Sequence, residues 1–362
     1  MDSNWIFSKK FDLSIFLFPL ALAALSPLTL LLDPSDNLPL WAFLLVVVSF
    51  DVAHVWATLY RTYLDPIELR RRKMLYLLPI PIFFYISLRL HLYSPVLFWT
   101  LLDYVAIYHF ITQNYGFLAL YKMKKGERST FDYHLDKWTL WMGALGPVLW
   151  WHATPDRVFN WFSAGESFIF RIDPAFIGDI TAVYFGLLGL YTARQLYLWQ
   201  VKRHFNPGKQ IIMGGHYLTW GVGIYFTDNP LISAAFLNLF HGIPFLAMVW
   251  FYCNRKWRDP ERKKRSRVLA FLSQPKNWFW FYLLIFIPAL LEETLWDSFV
   301  WQVYLPDILT TPLPGLNHFA ISVLVALLSL PQILHYFLDG WIWKFNKSNP
   351  GLPEFLNLAG GK

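Results

Sequence analysis

The chain alternates long apolar runs with short breaks marked by basic residues or proline. A helix needs about 20 predominantly apolar residues to cross a bilayer. The pattern predicts ten such runs, at 12–32, 39–61, 74–92, 95–121, 137–153, 175–199, 211–227, 230–252, 277–293 and 316–343. Pro79, Pro81, Pro147, Pro244, Pro288 and Pro331 fall inside them. Neighbouring helices can re-satisfy the carbonyls that a proline frees, so these positions kink a span without excluding it. The first run follows Lys9 and Lys10, is too long for a signal-peptide core and lacks a small-x-small exit, so it reads as a span. The expected fold is all-α: a polytopic transmembrane bundle of about ten helices, forming a single integral membrane domain over 1–362.

Composition agrees. Only 15% of residues are charged, while 56% are hydrophobic and 20% aromatic. Soluble domains carry about 25% charged residues, so a disordered chain, a nucleic-acid-binding arm and an ordinary cytosolic enzyme are excluded. The distribution of charge then sets topology. If the connections alternate between sides, 28 of the 31 Lys and Arg residues fall on the side of the N-terminus, and only Arg89, Arg157 and Arg171 on the other. The second side carries Asp33, Asp36, Asp156, Glu166, Asp173 and Asp307. Positive loops stay in the cytoplasm, so both termini are expected there, in a bacterial inner membrane. The basic stretch from Arg255 to Arg265 is then a loop facing anionic headgroups, and the expected partners are membrane lipids and a hydrophobic small molecule, not nucleic acid. The single cysteine, Cys253, excludes an internal disulfide and any thiolate cluster.

The candidate chemistry lies in the histidines. His91, His134, His152, His204 and His318 sit at or near span ends, where interface and loop roles explain them. His54, His109, His216, His241 and His335 lie inside five different spans. Ionisable groups in a bilayer are costly and face the bundle interior. Counted from the nearest basic residue, the five lie roughly 10–21 Å along their helices, so helices could bring them to one depth. Asp51 precedes His54 by three, Asn238 precedes His241 by three, Gln113 follows His109 by four, and Asp339 follows His335 by four. Such spacings share a helical face. Carboxylates and amides so placed suit the second ring nitrogen of a metal-bound imidazole, or a network of interhelical hydrogen bonds.

Imidazole with an occasional carboxylate suits iron, zinc or copper. Several histidines with open positions suit non-haem iron, and two on different helices could hold a haem. No two histidines lie within five residues, which excludes the tight boxes of membrane desaturases. Glu292-Glu293 opens a pattern like that of intramembrane CAAX proteases, but Trp296 and Asp297 stand where its arginine belongs. The layout of single histidines on separate aromatic-rich spans resembles that of the bacterial membrane β-carotene dioxygenases of the Brp/Blh type. The resemblance implies a multi-pass fold, one iron held by histidines and oxidative cleavage of a polyene. The expectation is therefore a membrane metalloenzyme that oxidises or cleaves an isoprenoid or acyl lipid entering laterally. Its ligands would be His54, His109, His216, His241 and His335, assisted by Asp51, Asp339, Gln113 and Asn238. The alternative expectation is a proton-coupled transporter that uses the Asp–His pairs as a relay.

Overall fold

The computed structural model describes residues 4–29, 38–155, 157, 168–304 and 315–358. Among these the chain is all-helical, with no strand. Eight helices are long and apolar enough to cross a membrane. They are α1 (Lys9–Thr29), α2 (Leu40–Arg61), α4 (Lys73–Tyr93), α5 (Pro95–Lys125), α7 (Pro174–Gln200), α9 (Pro230–Lys256), α12 (Pro275–Trp301) and α13 (His318–Ile342). The other two expected spans, 137–153 and 211–227, are also helical. They fall on α6 (Thr130–Ala153) and on α8 (Pro207–Trp220, continued by a π-helical stretch Gly221–Phe226). These two are more polar: α6 opens with Asp132, Asp136 and Lys137, and α8 carries Lys209, Gln210 and a Gly214-Gly215 pair. Short helices α3 (Pro66–Arg71), α10 (Pro260–Arg265), α11 (Arg267–Leu272) and α14 (Leu352–Phe355) lie in the connections.

Helix starts follow local chemistry. Ser94, Asn206 and Asn229 each precede a proline and cap the helix through their side chains. The cap satisfies otherwise orphaned N–H groups, and proline suits the first turn because its missing N–H would be unpaired there. Gly126, at φ 67°, closes α5 in the left-handed conformation that glycine adopts without strain.

One end of the bundle is tied by polar contacts among the basic connections. Asn357 donates to the Ile6 carbonyl at 3.0 Å, and Lys124 donates to the Asn357 carbonyl at 2.5 Å. Buried ions pair there as well: Lys209 with Glu127 at 2.9 Å, Lys122 with Asp136, and Lys256 with Asp65 at 2.5 Å. At the opposite end Arg157, just past α6, pairs with Asp228 and donates to the Ile224 carbonyl at 2.7 Å, while Tyr304 donates to the Leu38 carbonyl at 2.7 Å. Of the acids expected on this side, Asp173 accepts from the Ala175 N–H at 2.9 Å. Asp33, Asp36, Asp156, Glu166 and Asp307 lie outside the described residues. The outer surface exposes large apolar side chains such as Phe18, Trp278, Phe279, Trp280 and Leu291. A lipid-facing helix requires such a surface, because its backbone is satisfied internally and its side chains meet hydrocarbon. The interior holds the aromatic core, including Phe16, Phe117, Trp220 and Phe240.

Candidate metal centre

Two local features bring the centre together. In α2 the stretch Phe43–Val52 is π-helical, and regular α-helix resumes at Ala53–Ala57, which carries His54. Such wide turns re-aim the residues around them and recur at functional sites. In α9, Gly242 follows His241, and a Cβ added there would lie 2.3 Å from the Phe50 carbonyl oxygen. Only glycine permits that approach, and it lays His241 against the turn that carries His54.

Four buried histidines from four helices meet: His54 (α2), His109 (α5), His241 (α9) and His335 (α13). Each offers one ring nitrogen, and these atoms all lie within 4.8 Å of one another, so the group could hold a metal ion. The His335 Nε2 is 3.1 Å from the His54 Nε2 and 3.0 Å from the His109 Nε2. The His335 Nδ1 meets the Thr58 Oγ1 at 2.7 Å, with Asp339 behind it at 3.6 Å. The His54 ring has the Asp51 carboxylate at 3.6 Å from its Nδ1 and the backbone of Phe50 and Asp51 beside it. Neither ring nitrogen of His241 has a hydrogen-bond partner among the described residues. The His241 ring stacks on Phe110 with centroids 3.7 Å apart, and Tyr336 lies 4.5 Å from His109. Apolar rings thus wrap the centre.

His216 is not in this group. Its Nδ1 meets the Asn114 Nδ2 at 3.2 Å, within a tight crossing where Gly143 abuts its ring. The four expected assisting residues take different places. Asp51 and Asp339 stand behind ring nitrogens as the i,i+3 and i,i+4 spacings predict. Gln113 donates to the His241 backbone carbonyl at 2.8 Å, so it ties α5 to α9 rather than touching a ring. Asn238 lines a neighbouring cavity. Of the span-end histidines, His91 and His152 are buried and meet Ser322 at 2.8 Å and Tyr104 at 2.5 Å, while His204 meets Glu127 at 3.2 Å.

The cavity encloses about 620 Å³ and is bounded by His54, Asp51, Asn238, Glu292, Glu293 and Tyr336 among others. Glu292 accepts from the Trp56 indole at 2.6 Å. In sequence these glutamates entered only through the intramembrane-protease pattern, with nothing to join them to His54. The structure sets them beside His54, because α2 and α12 pack along the face that carries Trp56. Sequence reasoning also missed Thr58, although it lies four residues after His54 and so on the same face.

No known protein family, curated protein or solved structure matches the chain. The resemblance to the β-carotene dioxygenases therefore rests on the layout of the histidines alone.

Proposed function

We propose that the protein is a membrane metalloenzyme whose four-histidine centre holds non-haem iron and oxidises or cleaves a lipid-soluble substrate. The observation that carries this reading is the meeting of His335 Nε2 with two other Nε2 atoms at 3.0 and 3.1 Å. Each Nε2 of a neutral imidazole has one proton or one lone pair, so His335 cannot satisfy both neighbours by hydrogen bonding. A hydrogen-bond account also leaves buried His241 without a partner, a costly arrangement. A cation shared by the rings would take up the lone pairs that hydrogen bonding leaves unmatched.

The spacing speaks to geometry as well. With metal–nitrogen bonds of about 2.1 Å, ligands at right angles lie ~3.0 Å apart and ligands at the tetrahedral angle ~3.4 Å apart. The two distances near 3.0 Å fall within what one ion could bridge, and the other ligand separations reach no more than 4.8 Å. Iron held by these histidines would supply oxygen activation, and imidazole ligands without thiolate are compatible with that metal. The chain's own contribution is to fix the rings through Thr58, Asp51 and Asp339 and to shield the His241 side of the centre with the stacked ring of Phe110. The membrane setting supports a lipid-soluble substrate such as an isoprenoid or an acyl chain. The bundle is read as ten crossings in a bacterial inner membrane, with both termini on the basic, cytoplasmic side.

The alternative is a proton-coupled carrier, since ionisable groups lie on both sides of the centre. Against it, Arg61 fills the route toward the basic end. Its guanidinium lies between the rings of Tyr252 and Trp343, at 4.2 and 4.5 Å.

Elemental analysis of detergent-purified protein tests the proposal, with the absorption spectrum recorded beside it. About one iron per chain is expected, lost in a His109→Ala/His241→Ala variant that remains folded. Folded wild-type protein without metal after chelator-free purification would sink the metalloenzyme and favour the carrier. A Soret band would move the reading to haem.

A further inference from the structure

We propose that the cavity beside His54 is a cation-admitting vestibule through which the centre is loaded with its metal ion, from the end of the bundle opposite the basic connections. This rests on the metal reading above.

Three observations carry it. The first is where the cavity runs. Its wall includes buried His54 and also Arg157, Thr227 and Asp228 at the far end of the bundle, where the Asp228 side chain is 74% exposed. One space therefore joins the solvent-facing end to the back of a ligand ring.

The second is the chemistry of the wall. Asp51, Asp228, Glu292 and Glu293 contribute carboxylates, and Asn238 and Gln332 contribute amide oxygens. Among the described residues of the wall the one cationic side chain, Arg157, is paired with Asp228. Oxygen donors suit a hydrated divalent ion, whereas imidazoles hold a transition metal more firmly. Carboxylates along the approach and nitrogens at its end form a graded series for such an ion. An acid-lined cleft with low-dielectric walls also concentrates cations and repels anions.

The third is the other end. Between the centre and the basic connections stands buried Arg61, which donates to the Ile342 carbonyl and, at 3.4 Å, to Asn349. A fixed guanidinium held between two rings obstructs a cation physically and repels it. Loading from the basic end would have to pass it.

Thiol labelling in sealed vesicles tests the route. The native Cys253 is fully buried, so the wild type supplies a silent background. Ala234→Cys places a thiol in the cavity wall, and Lys264→Cys on α10 marks the basic end. Cationic and anionic membrane-impermeant methanethiosulfonates are added from each side. Ala234→Cys is expected to react from the side opposite to Lys264→Cys, about tenfold faster with the cationic reagent. Added zinc should slow the reaction, and Glu293→Gln should shrink the charge preference. Labelling from the side of Lys264→Cys, equal rates for both reagents, or reaction only after denaturation would each overturn the route. Metal content measured on the same preparations separates the two claims. Histidine-dependent metal with failed labelling removes the route and keeps the centre, whereas selective labelling without metal removes the loading role.

Discussion

At the scale of the residue, His335 shows what holds the site. For its Nε2 to carry a lone pair toward the other rings, its Nδ1 must carry the proton, and the Thr58 hydroxyl stands at 2.7 Å to accept it. Removing such a partner of a metal-bound histidine weakens binding by about 10–100-fold. Thr58→Val should therefore lower metal affinity by that factor in a chelator competition while the helical content holds. Unchanged affinity would mean that Asp339, at 3.6 Å, orients the ring alone. The sequence made four of the five intramembrane histidines legible as one group, because depth along a helix can be counted. It could not separate His216, whose depth is similar, because depth does not give azimuth. The rotation of α8 points that ring to Asn114 instead. Thr58 was hidden for a related reason: a threonine four residues after a histidine is common, and its role depends on His335 arriving from α13.

At the scale of the element, the crossing of α2 and α9 decides whether the centre forms. Gly242→Ala places a methyl 2.3 Å from the Phe50 carbonyl, which backbone must yield to. Overpacking of this kind costs about 1–3 kcal/mol. The variant should melt at lower temperature and lose metal, since the displaced helices carry His241 and His54. Gly214→Ala is the control, because nothing lies within 4 Å of its added Cβ. It should leave metal content intact. Equal behaviour of the two variants would show that the close crossing is not what positions the rings. In the connection after α2, α3 offers a pH test. Burial of Glu68 acts to raise its pKa, but Lys256 and Arg71 outweigh it and hold the group at about 2, below the ordinary 4.5. The lowered value means that its stabilisation is present above the ordinary carboxylate range and is lost as pH falls toward 2. Glu68→Gln should thus lower thermal stability at neutral pH, with the gap closing on acidification. A gap independent of pH would deny the ion pairs this role.

At the scale of the whole molecule, the bundle was legible because apolar runs and basic breaks report the same boundaries independently. Eight of the ten expected spans meet the length and hydropathy of a crossing helix. The remaining two were harder to read because α6 and α8 spend polar residues on buried pairs, Asp136 with Lys122 and Lys209 with Glu127, inside the bundle. Burial within protein, rather than exposure to lipid, makes those residues tolerable. The number of crossings decides the side of two connections, α6–α7 and α7–α8, of which the first is the easier to test. If α6 and α8 cross, the segment between α6 and α7 lies opposite the basic connections. If neither crosses, it lies beside them, although both termini stay where they are. The pairing of Arg157, after α6, with Asp228, before α9, places the far end of α6 beside the start of α9. That contact is what the ten-crossing reading of α6 expects. An Arg171→Cys variant should therefore react with an impermeant thiol reagent only from the side that leaves Lys264→Cys untouched. Reaction of both from one side would reduce the protein to eight crossings: Asp228, before α9, would stay opposite the basic termini, but Arg157 would move to their side, and the Arg157–Asp228 pair at the far end of the cavity could not form.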